Sequence, residues 1–174
     1  MNTNSDKKLI ADYLKGDEKS LEILIHRYLK PIYSFVYRYV NNRQEAEDIT
    51  QEVFVRVWRN LKKFKRSKSF KTWIFTIAKN SCIDFFRKKK TIPFSEPEDI
   101  AGEDKFFERT NINQLLQFAK DKLMPKYQLV LSLYYNQNLN FREISETTGE
   151  PLNTIKSRHR RALILLKKSL EFLQ

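Results

Sequence analysis

Along most of this chain apolar residues recur every three to four positions, the spacing of helices that bury one face. Leu9, Ile10, Tyr13 and Leu14 predict a first helix, stopped at Gly16-Asp17. Leu21, Leu24, Ile25 and Tyr28 predict a second. Pro31 is expected to kink or break it, and Ile32, Phe35, Val36 and Tyr39 carry the period on to Asn41-Asn42. A third, from about Arg43 to Lys63, has Ala46, Ile49, Val53, Val57 and Leu61 as its buried stripe. Phe70 opens a fourth, with Trp73, Ile74, Ile77, Ala78 and Phe85 on its apolar side. Further on, Leu115, Leu116, Ala119 and Leu123 predict a helix ending before Pro125, and Val130, Leu131 and Tyr134 another ending near Asn136. All these apolar positions are expected to be core.

The last stretch, Asn140 to Lys168, reads as two helices around a sharp bend. Phe141 and Ile144 share a face of the first, Gly149 supplies the bend, and Pro151 falls where a missing N–H costs nothing. Leu152, Ile155, Ala162 and Leu166 would pack back on the first helix. Asn153, Thr154, Ser157, Arg158 and Arg161 face the other way, the layout of a helix-turn-helix whose second helix enters a DNA major groove. A surface hairpin with a solvated basic face fits the same residues, so this stretch alone leaves both readings open.

Two further faces carry candidate chemistry. Asp48 and Glu52 sit one turn apart on the exposed side of the third helix, a like-charge pair that costs a little in an isolated helix. Either they serve a basic protein partner, or Glu52 pairs with Arg56 one turn on. Projected at 100° per residue, the far side of the fourth helix holds Thr72, Phe75, Thr76, Lys79, Phe86 and Arg87, after a basic loop from Lys62 to Ser69. Aromatic and basic residues on one exposed face suit stacking on unpaired bases while phosphates are neutralised. The alternative is that Phe75 and Phe86 pack on a neighbouring helix.

Charge sharpens the picture. The chain of 174 residues carries a net +12, which points to a polyanionic partner. Residues 1–90 are net +11, 91–112 net −4 and 113–174 net +5, so two basic blocks flank an acidic connector. That connector holds two of the five Pro and reads as a linker, at least partly disordered when alone. With 3 Gly and 5 Pro in the whole chain, long helices are favoured over a sheet-rich fold. The expected architecture is all-α: a helical domain over 1–92, a flexible acidic linker over 93–112, and a helix-turn-helix domain over 113–174. Cys82 is the only cysteine, and His26 and His159 are the only histidines, so disulfides and clustered metal ligands have nothing to work with. No apolar run approaches membrane-spanning length and the N-terminus has no apolar leader, so a cytoplasmic protein without cofactor or metal is expected.

These features together resemble the bacterial RNA polymerase sigma factors of the small, two-domain extracytoplasmic-function group, over nearly the whole chain. GDEKSLEILIHRYLKPIYSFVYRYV and AEDITQEVFVRVWRNLKKF are similar to the helices that dock on the polymerase, and SFKTWIFTIAKNSCIDFFRKKK to the part that opens the minus-ten element. LMPKYQLVLSLYYNQNLNFREISETTGEPLNTIKSRHRRA resembles the minus-thirty-five reader. AEDITQEVF is the most specific stretch, because generic helix-turn-helix proteins lack it.

The resemblance implies a non-catalytic protein that joins core RNA polymerase through the beta-prime clamp helices and the beta flap. It assigns Asp48, Gln51 and Glu52 to the clamp contact, with Phe54 and Trp58 of the same motif expected in the core. It assigns Lys65, Arg66, Lys68, Ser69, Thr72, Phe75, Thr76 and Lys79 to capture of a flipped base and the melted strand. Asn153, Thr154, Ser157, Arg158 and Arg161 become candidates for minus-thirty-five contact, and Lys156 and Arg160 for phosphates. It also implies an anti-sigma partner, and an acidic linker threaded through the polymerase channels. The chain departs from the family at His159, which stands at an aliphatic position and is expected at the core edge. It departs again at Tyr135–Leu139, which lacks an acidic-glycine pair, and in the unusually basic loop before Phe70. A stand-alone duplex-binding regulator is the main competitor and offers no role for Asp48 and Glu52. A nucleic-acid enzyme would need a cluster of carboxylates or histidines that the sequence does not supply.

Overall fold

The computed structural model describes residues 5–65, 68–91 and 123–171, with side chains described up to Lys89 in the second range and Lys168 in the third. All regular elements among them are helical, and the chain divides between Thr91 and Ile92 into two compact units. No helix among the described residues is long and apolar enough to cross a membrane. The expected linker over 93–112 and the helix expected at Leu115–Ala119 lie outside the described residues.

Unit 1 is a four-helix assembly of α1 (Asp6–Leu14), α2 (Glu18–Val40), α3 (Arg43–Asn60) and α4 (Phe70–Thr91). Ser5 caps α1 by accepting from the Lys8 N–H, and Asp6 then clips α1 to α2, accepting from Arg27 and, at 2.5 Å, from the Tyr28 hydroxyl. Helix α2 runs unbroken through Pro31, contrary to a break there. Ile32, Phe35 and Val36 beyond the proline are fully buried, and that packing on α3 and α4 outweighs the one backbone bond the proline forfeits. Asn41 ends α2 in the left-handed conformation (φ 49°), and the Asn42 side chain accepts from the Glu45 N–H at 3.0 Å to start α3.

The core joins Leu9 and Ile10, Leu24, Ile32 and Phe35, Ala46 and Val53, Ile74, Phe75 and Ala78. Phe35 and Phe75 meet edge to face with centroids 5.4 Å apart. A second aromatic group, Tyr28, Phe64, Phe70 and Trp73, spaced 4.9–5.7 Å, fastens both ends of the basic loop to the bundle. Cys82 is buried, and desolvation pushes its thiol up to about 12, so it packs as a small apolar residue.

Unit 2 contains α5 (Pro125–Leu131), a π-helical turn (Ser132–Asn136), α6 (Phe141–Thr148) and α7 (Leu152–Glu171). Leu123, Tyr127, Leu131 and Ala162 form one cluster with Leu166 against it, and Leu133, Leu139, Ile144 and Ile155 are buried as well. Asn138 takes φ 50° in the turn before α6, so an asparagine supplies the left-handed residue and leaves Leu139 buried. A capping box between Asn140 and Glu143 opens α6. Gly149 closes it at φ 74°, its N–H donating to the Ser145 carbonyl at 2.9 Å.

Candidate nucleic-acid and polymerase interfaces

Over its first turns helix α7 has one buried face and one polar, exposed face. Ile155 and Ala162 are fully buried against the unit, while Asn153, Lys156, Ser157, Arg160 and Arg161 are exposed and Thr154 is half-buried. Two Arg, a Lys, a Ser and an Asn on one open helical surface can contact base edges and phosphates alike. Arg158, expected on that surface, is instead 24% exposed and ion-paired to Glu150, a residue of the turn. His159 lies at the edge of the core, as expected. Its ring sits 4.8 Å from Tyr134, 5.0 Å from Phe141 and 5.6 Å from Tyr135, joining α7 to α6 and the π-helical turn. Its Nε2 is buried with no hydrogen-bond partner, and desolvation lowers its pKa below the ordinary 6.5.

In unit 1 the structure corrects the exposed face expected on α4. Phe75 is fully buried and Thr72 is 5% exposed. The projection assumed one buried side, but α4 packs on both α2 and α3, which widens its buried arc to take in Phe70, Thr72, Ile74, Phe75, Ala78, Ser81 and Cys82. Phe75 therefore has no face to offer a base, and its packing alternative holds. Thr76 is half-buried, its hydroxyl donating to the Thr72 carbonyl at 2.8 Å. Ser69 works as a helix start: its hydroxyl accepts from the Thr72 N–H at 3.3 Å and its carbonyl from the Trp73 N–H at 3.1 Å. Lys65 and Lys68 are exposed, Lys79 is half-buried, and Arg66 lies outside the described residues. Of the aromatics projected to that side, Phe86 stays open at 39% exposure.

On α3, Asp48, Gln51 and Glu52 are all exposed. Glu52 accepts from Arg56 at 2.5 Å, and Arg56 reaches on to Asp84 of α4 at 3.4 Å, so the intrahelical Glu52–Arg56 pair does form. Asp48 forms none of the ion pairs made on α3. Beside them, between α2 and α3, lies an open apolar groove of about 780 Å³ lined by Ile25, Leu29, Tyr33, Phe54, Val55 and Trp58, with Gln51 at its edge. Trp58, expected in the core, is 56% exposed and donates its indole N–H to the Tyr13 hydroxyl at 3.0 Å. Periodicity missed this groove because each helix contributes only part of it. The signal was present as apolar residues left outside the stripes, Leu29 and Val55 among them.

The comparisons with known proteins agree with this two-unit layout. Models of sigma-70 region 2 and sigma-70 region 4 match residues 24–92 and 121–168. SigW of Bacillus subtilis (strain 168), an ECF RNA polymerase sigma factor, is 33% identical over 180 aligned residues, covering 94% of this chain and 96% of its own. The RNA polymerase sigma factor SigV of the same organism is 31% identical, covering 78% of this chain and 81% of its own. Among solved structures, CnrH in complex with the cytosolic domain of CnrY superposes with a TM-score of 0.73 at 20% identity, over 97% of this chain and 98% of that one. The sigma factor RpoE of Bartonella quintana, solved with the anti-sigma factor NepR, gives 0.72 at 21% identity, over 88% and 98%. Those two support the fold. A stand-alone regulator has no place for the region 2 match, and by its sequence relatives the chain belongs to the ECF group of RNA polymerase sigma factors, proteins that direct core polymerase to promoters.

Proposed function

We propose a division of labour between the two units of this sigma factor. Residues 1–92 dock on core polymerase and handle the minus-ten element, 93–112 serve as the linker, and 113–174 read the minus-thirty-five element. In unit 2 the exposed face of α7 makes the DNA contact, with Asn153, Thr154, Ser157 and Arg161 toward bases and Lys156 and Arg160 toward phosphates. Arg158 enters that contact only if it leaves Glu150. In unit 1, Lys65, Arg66 and Lys68 supply cationic contacts to the opened strand near the start of α4, with Ser69, Thr76 and Lys79 alongside. Thr72 and Phe75 support that helix from inside the bundle.

For polymerase, the observation that carries the reading is the pairing of open polar groups with an apolar groove on one side of α3. Asp48 and Gln51 offer hydrogen bonds and charge, while Phe54, Val55 and Trp58 beside them offer apolar area that a helical partner such as the beta-prime clamp would cover. The beta flap would take unit 2. A protein partner that holds the factor inactive, an anti-sigma factor, belongs to the same proposal, since RpoE of Bartonella quintana was solved with one. The work proceeds in the cytoplasm alongside polymerase and requires no catalysis by this chain.

Asp48→Arg tests the docking face. Asp48 makes no ion pair among those formed on α3, so its reversal is expected to leave the thermal midpoint unchanged and to weaken binding to core polymerase at least tenfold, about 1.4 kcal/mol or more. Normal holoenzyme formation by the folded variant would show that this side of α3 is not the interface.

A further inference from the structure

Arg158 sits where an arginine of a recognition helix is expected to read DNA, yet its geometry ties it inward. At 100° per residue it projects about 60° from Ile155 and about 40° from Ala162, both fully buried, and so lies at the edge of the core. Its Nη1 donates to the Glu150 carboxylate, and the two side chains are 24% and 32% exposed. Glu150 is itself fastened to the last turn of α6 by two backbone links. Its N–H donates to the Ser145 carbonyl at 3.2 Å, and its carbonyl accepts from the Ser145 hydroxyl at 2.5 Å. The ion pair thus runs from the end of α6 across the turn to the second turn of α7. The His159 ring group ties the same two helices together at another point.

We infer that Glu150 is a positioning residue for promoter reading: by holding Arg158 it fixes the setting of α7 on α6, and with it the aim of Asn153, Ser157 and Arg161. This rests on α7 being the minus-thirty-five reader. The expected effect of removing Glu150 is opposite in sign to that of plain electrostatics. Glu150 is an anionic group close to a DNA-binding face, so removing it should strengthen attraction to phosphates if charge alone mattered. If it sets the helix, removing it weakens sequence-dependent binding.

The experiment uses full-length protein reconstituted with core polymerase, on a promoter that the wild-type holoenzyme selects from a library randomised at the minus-thirty-five element. The discrimination ratio is the affinity for that promoter over the affinity for the same fragment with the element scrambled. Glu150→Gln is expected to lower this ratio about fivefold, within the usual range of coupling between paired neighbours. Arg158→Glu alone is expected to lower it at least tenfold, and the exchanged pair Glu150→Arg/Arg158→Glu to restore it to within about twofold of wild type. Thermal midpoints accompany each measurement. Three results would overturn the inference: a Glu150→Gln holoenzyme that discriminates as well as or better than wild type, a loss confined to the thermal midpoint, or an exchanged pair as poor as Arg158→Glu, which would place Arg158 on the DNA itself. A wild-type holoenzyme indifferent to the minus-thirty-five element would remove the recognition-helix reading and this inference with it.

Discussion

Replacing Phe75 by Ala distinguishes a base-stacking aromatic from a structural one, and the two roles predict different observables. Phe75 is fully buried and its ring stands edge to face with Phe35, also fully buried, at 5.4 Å. Truncating a phenylalanine in such a site costs about 3–5 kcal/mol, including the cavity left and the lost aromatic pair. A unit of this size commonly holds about 5–15 kcal/mol in total, so the substitution removes a large share of its stability. The chain has two tryptophans, Trp58 and Trp73, and both lie in unit 1, so fluorescence during a urea titration of the full-length protein follows that unit alone. The expected result is a transition shifted to much lower urea with its slope unchanged. Phe86→Ala, at a side chain 39% exposed, serves as the comparison and is expected to cost less than about 1.5 kcal/mol. A Phe75→Ala protein within about 1 kcal/mol of wild type would refute the placement of Phe75 in the core, and the exposed stacking face would regain its standing.

Two predictions concern unit 2, which contains no tryptophan, so its unfolding is read as the ellipticity change that tryptophan fluorescence does not share. Because burial holds the His159 pKa below its unfolded value of 6.5, the unfolded chain binds the proton more readily. Stability is then fully present above pH 6.5 and falls as the pH drops through 6.5 toward the folded value; His159→Leu should flatten that dependence, and an unchanged acid response would assign it to other groups. At Asn138, held at φ 50°, Ala is expected to cost about 1 kcal/mol and Gly to be tolerated, as compared by thermal midpoints; equal effects would mean that the turn does not depend on this backbone conformation.

Much of the fold was legible because helices α1 to α4, α6 and α7 each repeat apolar residues at the helical period, and Gly16, Asn41-Asn42 and Gly149 punctuate them. Where one buried side was assumed, the reading failed at Phe75, because two neighbours on different flanks enclose α4. The opposite error fell on Trp58: an aromatic inside an interaction motif was expected to be core, whereas its ring lines an open groove and its N–H is satisfied by Tyr13. Pro31 does not break α2, since a long helix packed along its length tolerates one missing backbone bond. The capping box at Asn140 and Glu143 follows a recognised spacing and was readable in advance. The Glu150–Arg158 pair was not, because eight residues separate its members across a turn and no helical spacing joins them. Asp48, Gln51 and Glu52 on α3 and Asn153, Lys156, Ser157, Arg160 and Arg161 on α7 are exposed as the polar pattern implied, whereas Arg158 on α7 and Thr72 and Phe75 on α4 are not.

In the proposed division of labour two units of one chain act together, one on polymerase and the opened strand, the other on duplex DNA. The deciding measurement is run-off transcription with purified core polymerase, with and without this protein, on a template library varied at both promoter elements. The expected result is a discrete transcript that appears only when the protein is added, and that falls when either element is scrambled. A protein that bound the same promoters equally well without polymerase, or that yielded no specific transcript from any template, would rule out that division of labour.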